Sequence, residues 1–269
     1  IRTGKNQITF KSDTTTYFSI LKNSDYYTYT LVPDIAFFKE FTTNFDDKMI
    51  YAFENIKTRQ HLGNDLGNKI IAKLKSKEMK EPWIYYIHLM DIHTPFSVPS
   101  EFDKEKNGET KYDRLVSLVD VWLGRFLNEI NMENTIIVVS ADHGEYVPAT
   151  DENISEIPNI QRLLTKGQTS NSFIEKMRMK TLLNLRFAAQ TYRKEKLKRT
   201  LSSYEMRSFN TRSALDLYDE LVRIPLIFAG RNVVESKVIP DLVRGVDIFP
   251  TIIDMIGLSN SMKSDGRSL

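Results

Sequence analysis

Three side chains stand where strand-end chemistry is done. Asp142 and His143 follow directly on the β-branched run Thr135–Val139, and His93 lies in Asp91-Ile92-His93-Thr94-Pro95-Phe96, just past the apolar run Trp83–Met90. A carboxylate oxygen beside an imidazole nitrogen suits a divalent metal ion. In open α/β sheets, ligands sit beyond the carboxyl ends of the strands. Gly144 lets the chain turn away without a Cβ, and Pro95 stops its strand and keeps Thr94 extended. His93 is therefore a candidate for contact with a ligand, and Asp91 for fixing its loop. His88, inside the apolar run, reads as a packed, hydrogen-bonded histidine, and His61 as a surface or packing residue. Asn44–Asp47 reads as a solvated turn, with metal ligation by Asp46 and Asp47 as the alternative.

Elements must carry these residues to one place. Thr135–Val139 has the composition of a strand buried on both faces of a parallel sheet. Tyr27–Val32, ended by Pro33, is a further strand candidate. Leu66, Ile70, Ile71 and Leu74 form one face of a helix within 64–80, and Tyr17–Leu21 a short helix capped by Asp13 or Thr14–Thr16. In 112–130, Leu115, Leu118, Val119, Trp122, Leu123, Phe126 and Leu127 recur at helical spacing, which makes Trp122 a core residue. Strand, helix and strand over 83–139 predict a βαβ unit. Leu226–Phe228 reads as a short buried strand. Asp247–Gly257 reads as a helix with Asp247 at its N-cap and Gly257 at its C-cap. Arg223 is expected to pair with Asp219 or Glu220, with binding of an anion as the alternative.

Composition bounds the rest. The 269 residues are 41% hydrophobic and 27% charged, ordinary globular usage, and include no Cys, hence no disulfide or thiol nucleophile. No apolar run reaches membrane-spanning length. The net charge of +2 is uneven: residues 151–212 hold 13 Lys+Arg against 6 Asp+Glu, a balance of +7, which leaves −5 for the remainder. The basic excess belongs to a helical pattern from about Ser172 to Arg199, expected to pack one face through Phe173, Met177, Leu185, Phe187 and Tyr192. Lys194, Lys196, Lys198 and Arg199 are candidates for guiding an anionic substrate.

The order of motifs resembles the sulfatase branch of the alkaline phosphatase superfamily: Ile87–Phe96, Ser140–Glu145, Leu217–Ile227, Val246–Ile252 and Asp265–Leu269. The resemblance implies an α/β fold, alkaline-phosphatase-like, with a largely parallel central sheet flanked by helices. It implies a single domain over 1–269, incomplete at the amino terminus, with a basic helical insertion over 146–212. It implies hydrolysis of sulfate or phosphate esters, sulfate first, at one divalent metal ion; the donor types suggest calcium or manganese before zinc. Asp142 and His143 match one pair of metal ligands, and His93 the histidine that contacts the transferring group or leaving oxygen. Lys166 is the nearest candidate for a lysine that often follows the Asp-His loop. The family's Cys/Ser-x-Pro-x-Arg motif, source of a formylglycine nucleophile, has no counterpart here. The nucleophile is expected upstream, and this chain alone is expected to be inactive. The expected partner is a small anionic ester, with no nucleic acid. Two alternatives stand: a phosphodiesterase, phosphonate-ester hydrolase or phosphoryl transferase of the same superfamily, and a non-catalytic binding module.

Overall fold

The computed structural model describes residues 16–53, 59–145, 147, 173–203, 205–206, 218–233, 235–258 and 264–269. The chain divides into two compact units: residues 1–103, 115–142 and 225–269 form the first, and 104–114 with 143–224 the second. Asp13, Lys166 and most of the acidic opening of the expected insertion lie outside the described residues.

The first unit is built on a parallel three-stranded sheet in the order β2-β1-β3, with β1 Tyr27–Pro33, β2 Asp47–Tyr51 and β3 Trp83–Ile87. β1 is central and buried almost throughout, so its polar residues need internal partners. Thr28 donates both its N–H and its hydroxyl to the Asp46 carboxylate, at 2.9 and 2.7 Å. Lys22 closes on the same carboxylate at 2.6 Å, and Lys73 pairs with Asp47 at 2.6 Å. These contacts tie both aspartates to the sheet, so the stretch expected to be a solvated turn is instead bonded to its neighbours, and Asp47 already belongs to a strand. β2 left no strand signal in the sequence because it is a short edge strand whose side chains alternate between half-buried and exposed.

Helix α1, Tyr17–Asn23, begins at Thr16, whose hydroxyl accepts from the Ser19 N–H while the Ser19 hydroxyl answers the Thr16 N–H. A short α2, Ala36–Phe41, follows β1. The main core joins Leu31, Tyr51, Phe53 and Leu62 to Leu66 and Ile70 of α3, Leu66–Lys75, and to Leu115, Leu118, Trp122 and Phe126 of α4, Lys111–Leu127. The helical spacing in 112–130 thus identifies the buried face correctly, Trp122 included. Burying each such side chain contributes roughly 1.5–3 kcal/mol. A second cluster packs Leu21 against Phe249 and Ile253 of the last helix.

The strand before Asp142 behaves otherwise than its composition suggests. β4, Ile136–Ser140, pairs antiparallel with β5, Leu226–Gly230, and β3 and β4 fall in separate sheets among the described residues. β4 is half-buried rather than enclosed, and Ile227 of β5 is exposed. A β-branched run favours extended backbone in either ladder, so its composition carried no information on strand direction or neighbours.

In the second unit the basic pattern forms one long helix, α5, Phe173–Lys198. Its expected packed face is wrong where it can be seen: Leu185, Phe187 and Tyr192 are largely exposed, and the buried side chain is Leu197. Leu182 and Ala189 are half-buried, so the covered side follows Leu182, Ala189 and Leu197 at helical spacing. The side chains of Phe173 and Met177 lie outside the described residues. A short α6, Asp219–Val222, also belongs to this unit.

Candidate active site

His93 sits in the loop that leaves β3. Its N–H bonds the Met90 carbonyl at 3.1 Å, and its ring Nδ1 lies 2.6 Å from the Thr94 carbonyl oxygen. A carbonyl can only accept, so Nδ1 carries the proton. The ring stands edge-on to Phe53 at 5.8 Å. The loop is anchored by Asp91, a buried carboxylate that accepts the Leu62 N–H at 2.8 Å, and burial pushes its pKa up to about 6. Asp91 thus has the loop-fixing place the sequence suggested. His88 has the packed one: its N–H reaches Leu31, its Nδ1 bonds the Tyr86 hydroxyl at 3.2 Å, and its ring lies 4.4 Å from Phe38. His61 is half-buried, which lowers its pKa, and its Nδ1 has no hydrogen-bond partner among the described residues.

At the end of β4 the Ser140 hydroxyl bonds the Pro225 carbonyl at 3.0 Å, fixing the strand tip, and Asp142 is exposed just beyond it. Tyr86 of β3 links this end to the other. Its phenol is pushed up to about 12, by burial first and then by the Asp142 charge, and the same hydroxyl bonds His88. The Tyr86 phenol on β3 thus lies within electrostatic reach of Asp142, beyond the end of β4. Sequence reasoning missed it because a tyrosine in an apolar strand reads as packing.

In the second unit, His143 repeats the geometry of His93. Its Nδ1 lies 2.7 Å from the Gly144 carbonyl oxygen, so Nδ1 donates and the lone pair resides on Nε2. A metal-ligating histidine typically donates its other ring N–H in this way. A carboxylate oxygen, as on Asp142, and an imidazole nitrogen, as on His143, are donor types that suit a divalent ion. Among the described residues no group of three or more His, Asp or Glu converges to complete a set.

The remaining motifs have structural work. Gly144 donates to the Leu221 carbonyl at 2.8 Å, and a Cβ there would overlap the Glu220 carbonyl oxygen, so this glycine locks the Asp-His loop to the segment around α6. Arg223 is exposed, and its guanidinium forms no ion pair among the described residues; the expected pairing with Asp219 or Glu220 is replaced by a backbone bond from the Arg223 N–H to the Asp219 carbonyl. Asp247 precedes α7, Ile248–Met255, but does not cap it through its side chain. Its carboxylate instead bonds the Arg244 guanidinium at 3.0 Å and accepts the N–H groups of Arg244 and Arg267, and the arginine bond first, then the Arg267 N–H, lowers its pKa to about 2. Leu269 N–H reaches the Thr251 hydroxyl, Ser268 reaches Asp254, and Gly266 lies where a Cβ would overlap the Val246 carbonyl. The motifs at 246–252 and 265–269 are two halves of one clamp.

The model of the family described as Sulfatase matches residues 3–258. The chain belongs to the sulfatase family. Its fold is alkaline-phosphatase-like, as solved sulfatases show. A putative sulfatase from Bacteroides thetaiotaomicron aligns with a TM-score of 0.56 and 16% identity, over 99% of this chain and 58% of that one. BT1596, a 2-O GAG sulfatase, gives 0.55 and 16% with the same coverages. The lipoteichoic acid synthase LtaP from Listeria monocytogenes gives 0.51 and 18%, over 91% and 53%. These likenesses establish the fold. The chain spans little more than half the length of those structures. Among curated sulfatases, the Extracellular sulfatase SULF-1 homolog of Drosophila melanogaster is 40% identical over 48 residues, 18% of this chain and 4% of that protein.

Proposed function

We propose that the natural protein hydrolyses sulfate esters, with His93 at the leaving oxygen and a divalent metal ion held in part by Asp142 and His143. Membership of the sulfatase family supports the reaction class. The observation that carries the assignment of roles is the shared histidine geometry: each ring gives its Nδ1–H to the carbonyl of the next residue, which presents Nε2 in a fixed tautomer. Calcium or manganese is expected before zinc: the carboxylate favours calcium, and the imidazole pulls toward manganese or zinc. When bound, the metal would polarise the ester oxygens and favour the anionic form of the nucleophile. His93 Nε2, when protonated, donates to the departing oxygen, while the Thr94 carbonyl steadies the ring. Asp91 and the bond to Leu62 keep the loop in register. The nucleophile, formylglycine by family resemblance, is not assigned within residues 1–269, and the isolated chain is expected not to turn over.

The test is an aryl sulfate assay of the natural protein and its His93→Gln variant. The variant should lose roughly 10²–10⁴-fold in kcat, more with poorer leaving groups. Equal rates for both proteins would remove His93 from the mechanism. One residue favours a second reading. Many sulfatases carry Asn where His143 stands, so phosphoryl-ester chemistry at the same site is the alternative, and faster turnover of an aryl phosphodiester than of an aryl sulfate would decide for it.

A further inference from the structure

Arg59 is drawn to the His93 loop and has no role in the mechanism above. Its guanidinium lies over the Phe53 ring, 4.1 Å from the centroid, and His93 meets the same ring edge-on at 5.8 Å. Nε donates to the Phe53 carbonyl at 3.2 Å, and Nη1 points at the Pro95 carbonyl, 3.4 Å away, two residues past His93. Phe53 is itself fixed: its side chain is buried in the main core, and its N–H bonds the Asp34 carboxylate at 2.9 Å. Arg59 is thus half-buried on a rigid platform, and its partners among the described residues are carbonyls and a ring, with no carboxylate to neutralise it.

A guanidinium offers five N–H donors in a planar fork that matches oxyanions, and it remains charged at any working pH. Two of the five are engaged among the described residues. We propose that Arg59 is a further substrate-binding residue, holding the anionic oxygens of the ester beside His93, with Phe53 as their common support. This rests on the reading of the ligand as a sulfate or phosphate ester. The two neutral carbonyl bonds and the stacked ring aim the fork without consuming its charge. The anion gains charge-assisted hydrogen bonds, each shorter and stronger than a neutral one.

Two measurements on the natural protein test this. Inorganic sulfate is titrated by calorimetry into the wild type, Arg59→Ala and Arg59→Lys. KM and kcat for an aryl sulfate are measured on all three. Arg59→Ala should weaken sulfate binding and raise KM by about tenfold or more, a loss in the range of one charged hydrogen bond, with kcat changed less than about threefold. Arg59→Lys should recover only part of this, because an ammonium keeps the charge but not the fork. Unchanged sulfate affinity and KM in a folded Arg59→Ala overturn the proposal, as does a fall in kcat alone. If Arg59→Ala melts early, Arg59→Lys decides: wild-type sulfate affinity there overturns the proposal. Absence of ester hydrolysis by the wild type would count against the catalytic reading, while the calorimetry would still judge Arg59.

Discussion

His93 and His143 each make one bond that fixes the ring. The carbonyl of the following residue accepts from Nδ1 at 2.6 and 2.7 Å and so sets the tautomer of each imidazole. Asp142 extends from a strand tip pinned by Ser140 and Pro225. In the natural protein, Asp142→Ala should weaken manganese or calcium binding by at least tenfold in calorimetry, since it removes one of few charged ligands; unaltered affinity would refute the ligand assignment. Asp91 gives a sharper test at this scale. Burial raises its carboxyl from 3.8 to about 6. The folded state therefore holds the proton more tightly than the unfolded one, and Asp91 favours folding below pH 4 and loses that contribution as pH rises through 6. A shift of about two units corresponds to about 3 kcal/mol. Asp91→Asn keeps an oxygen for the Leu62 N–H and does not titrate, so wild type should lose up to about 3 kcal/mol relative to it between pH 4 and 7.5 in urea unfolding. Parallel stabilities across that range would contradict the burial argument. The histidines and Asp142 were legible in the sequence because their types announce them at strand ends. Tyr86 and Arg59 were not, because their meaning depends on which side chains the fold sets beside them.

Helix periodicity was legible wherever a long face is buried, as in α3 and α4, where Leu66, Ile70, Leu115, Leu118 and Trp122 fall in the core at the spacing the sequence displays. It failed on α5, where scattered apolar residues among lysines suggested a packed face and Leu185, Phe187 and Tyr192 are instead exposed. Strand neighbours were not legible either. Thr135–Val139 announces a strand, but an antiparallel partner 90 residues later leaves no mark on its composition. Two elements invite measurement. A Cβ on Gly67 of α3 would overlap the Trp122 ring of α4, a bulky core side chain with little room to yield. Gly67→Ala should therefore destabilise by about 1–3 kcal/mol through overpacking, outweighing the roughly 1 kcal/mol that alanine gains in helix propensity. A variant as stable as wild type would show that the helices separate freely. At the clamp, Asp247→Asn loses the charge that holds Arg244 and Arg267. Amide exchange at Arg267 and Leu269 should accelerate, and unchanged protection there would assign the clamp to backbone packing instead.

Over the whole molecule, charge is segregated: residues 151–212 carry +7 and the rest −5. A concentration of positive charge raises the local concentration of an anionic substrate, and salt screens the effect. Replacing Lys194, Lys196, Lys198 and Arg199, all exposed, by Gln should flatten the salt dependence of kcat/KM; an undiminished dependence would reduce α5 to a solvated surface helix. The family and its α/β architecture were legible from five ordered motifs, and the match over residues 3–258 bears that out. The division into two units was not, because the sequence marks where the pattern changes and not where contacts concentrate. A metal-assisted sulfate ester hydrolase should release inorganic sulfate from an aryl sulfate, and that release, measured on the natural protein before and after chelation, is the first experiment. Chelation should abolish turnover, and added manganese or calcium should restore it. No sulfate release from the untreated protein, or release that survives chelation, would refute the proposed function.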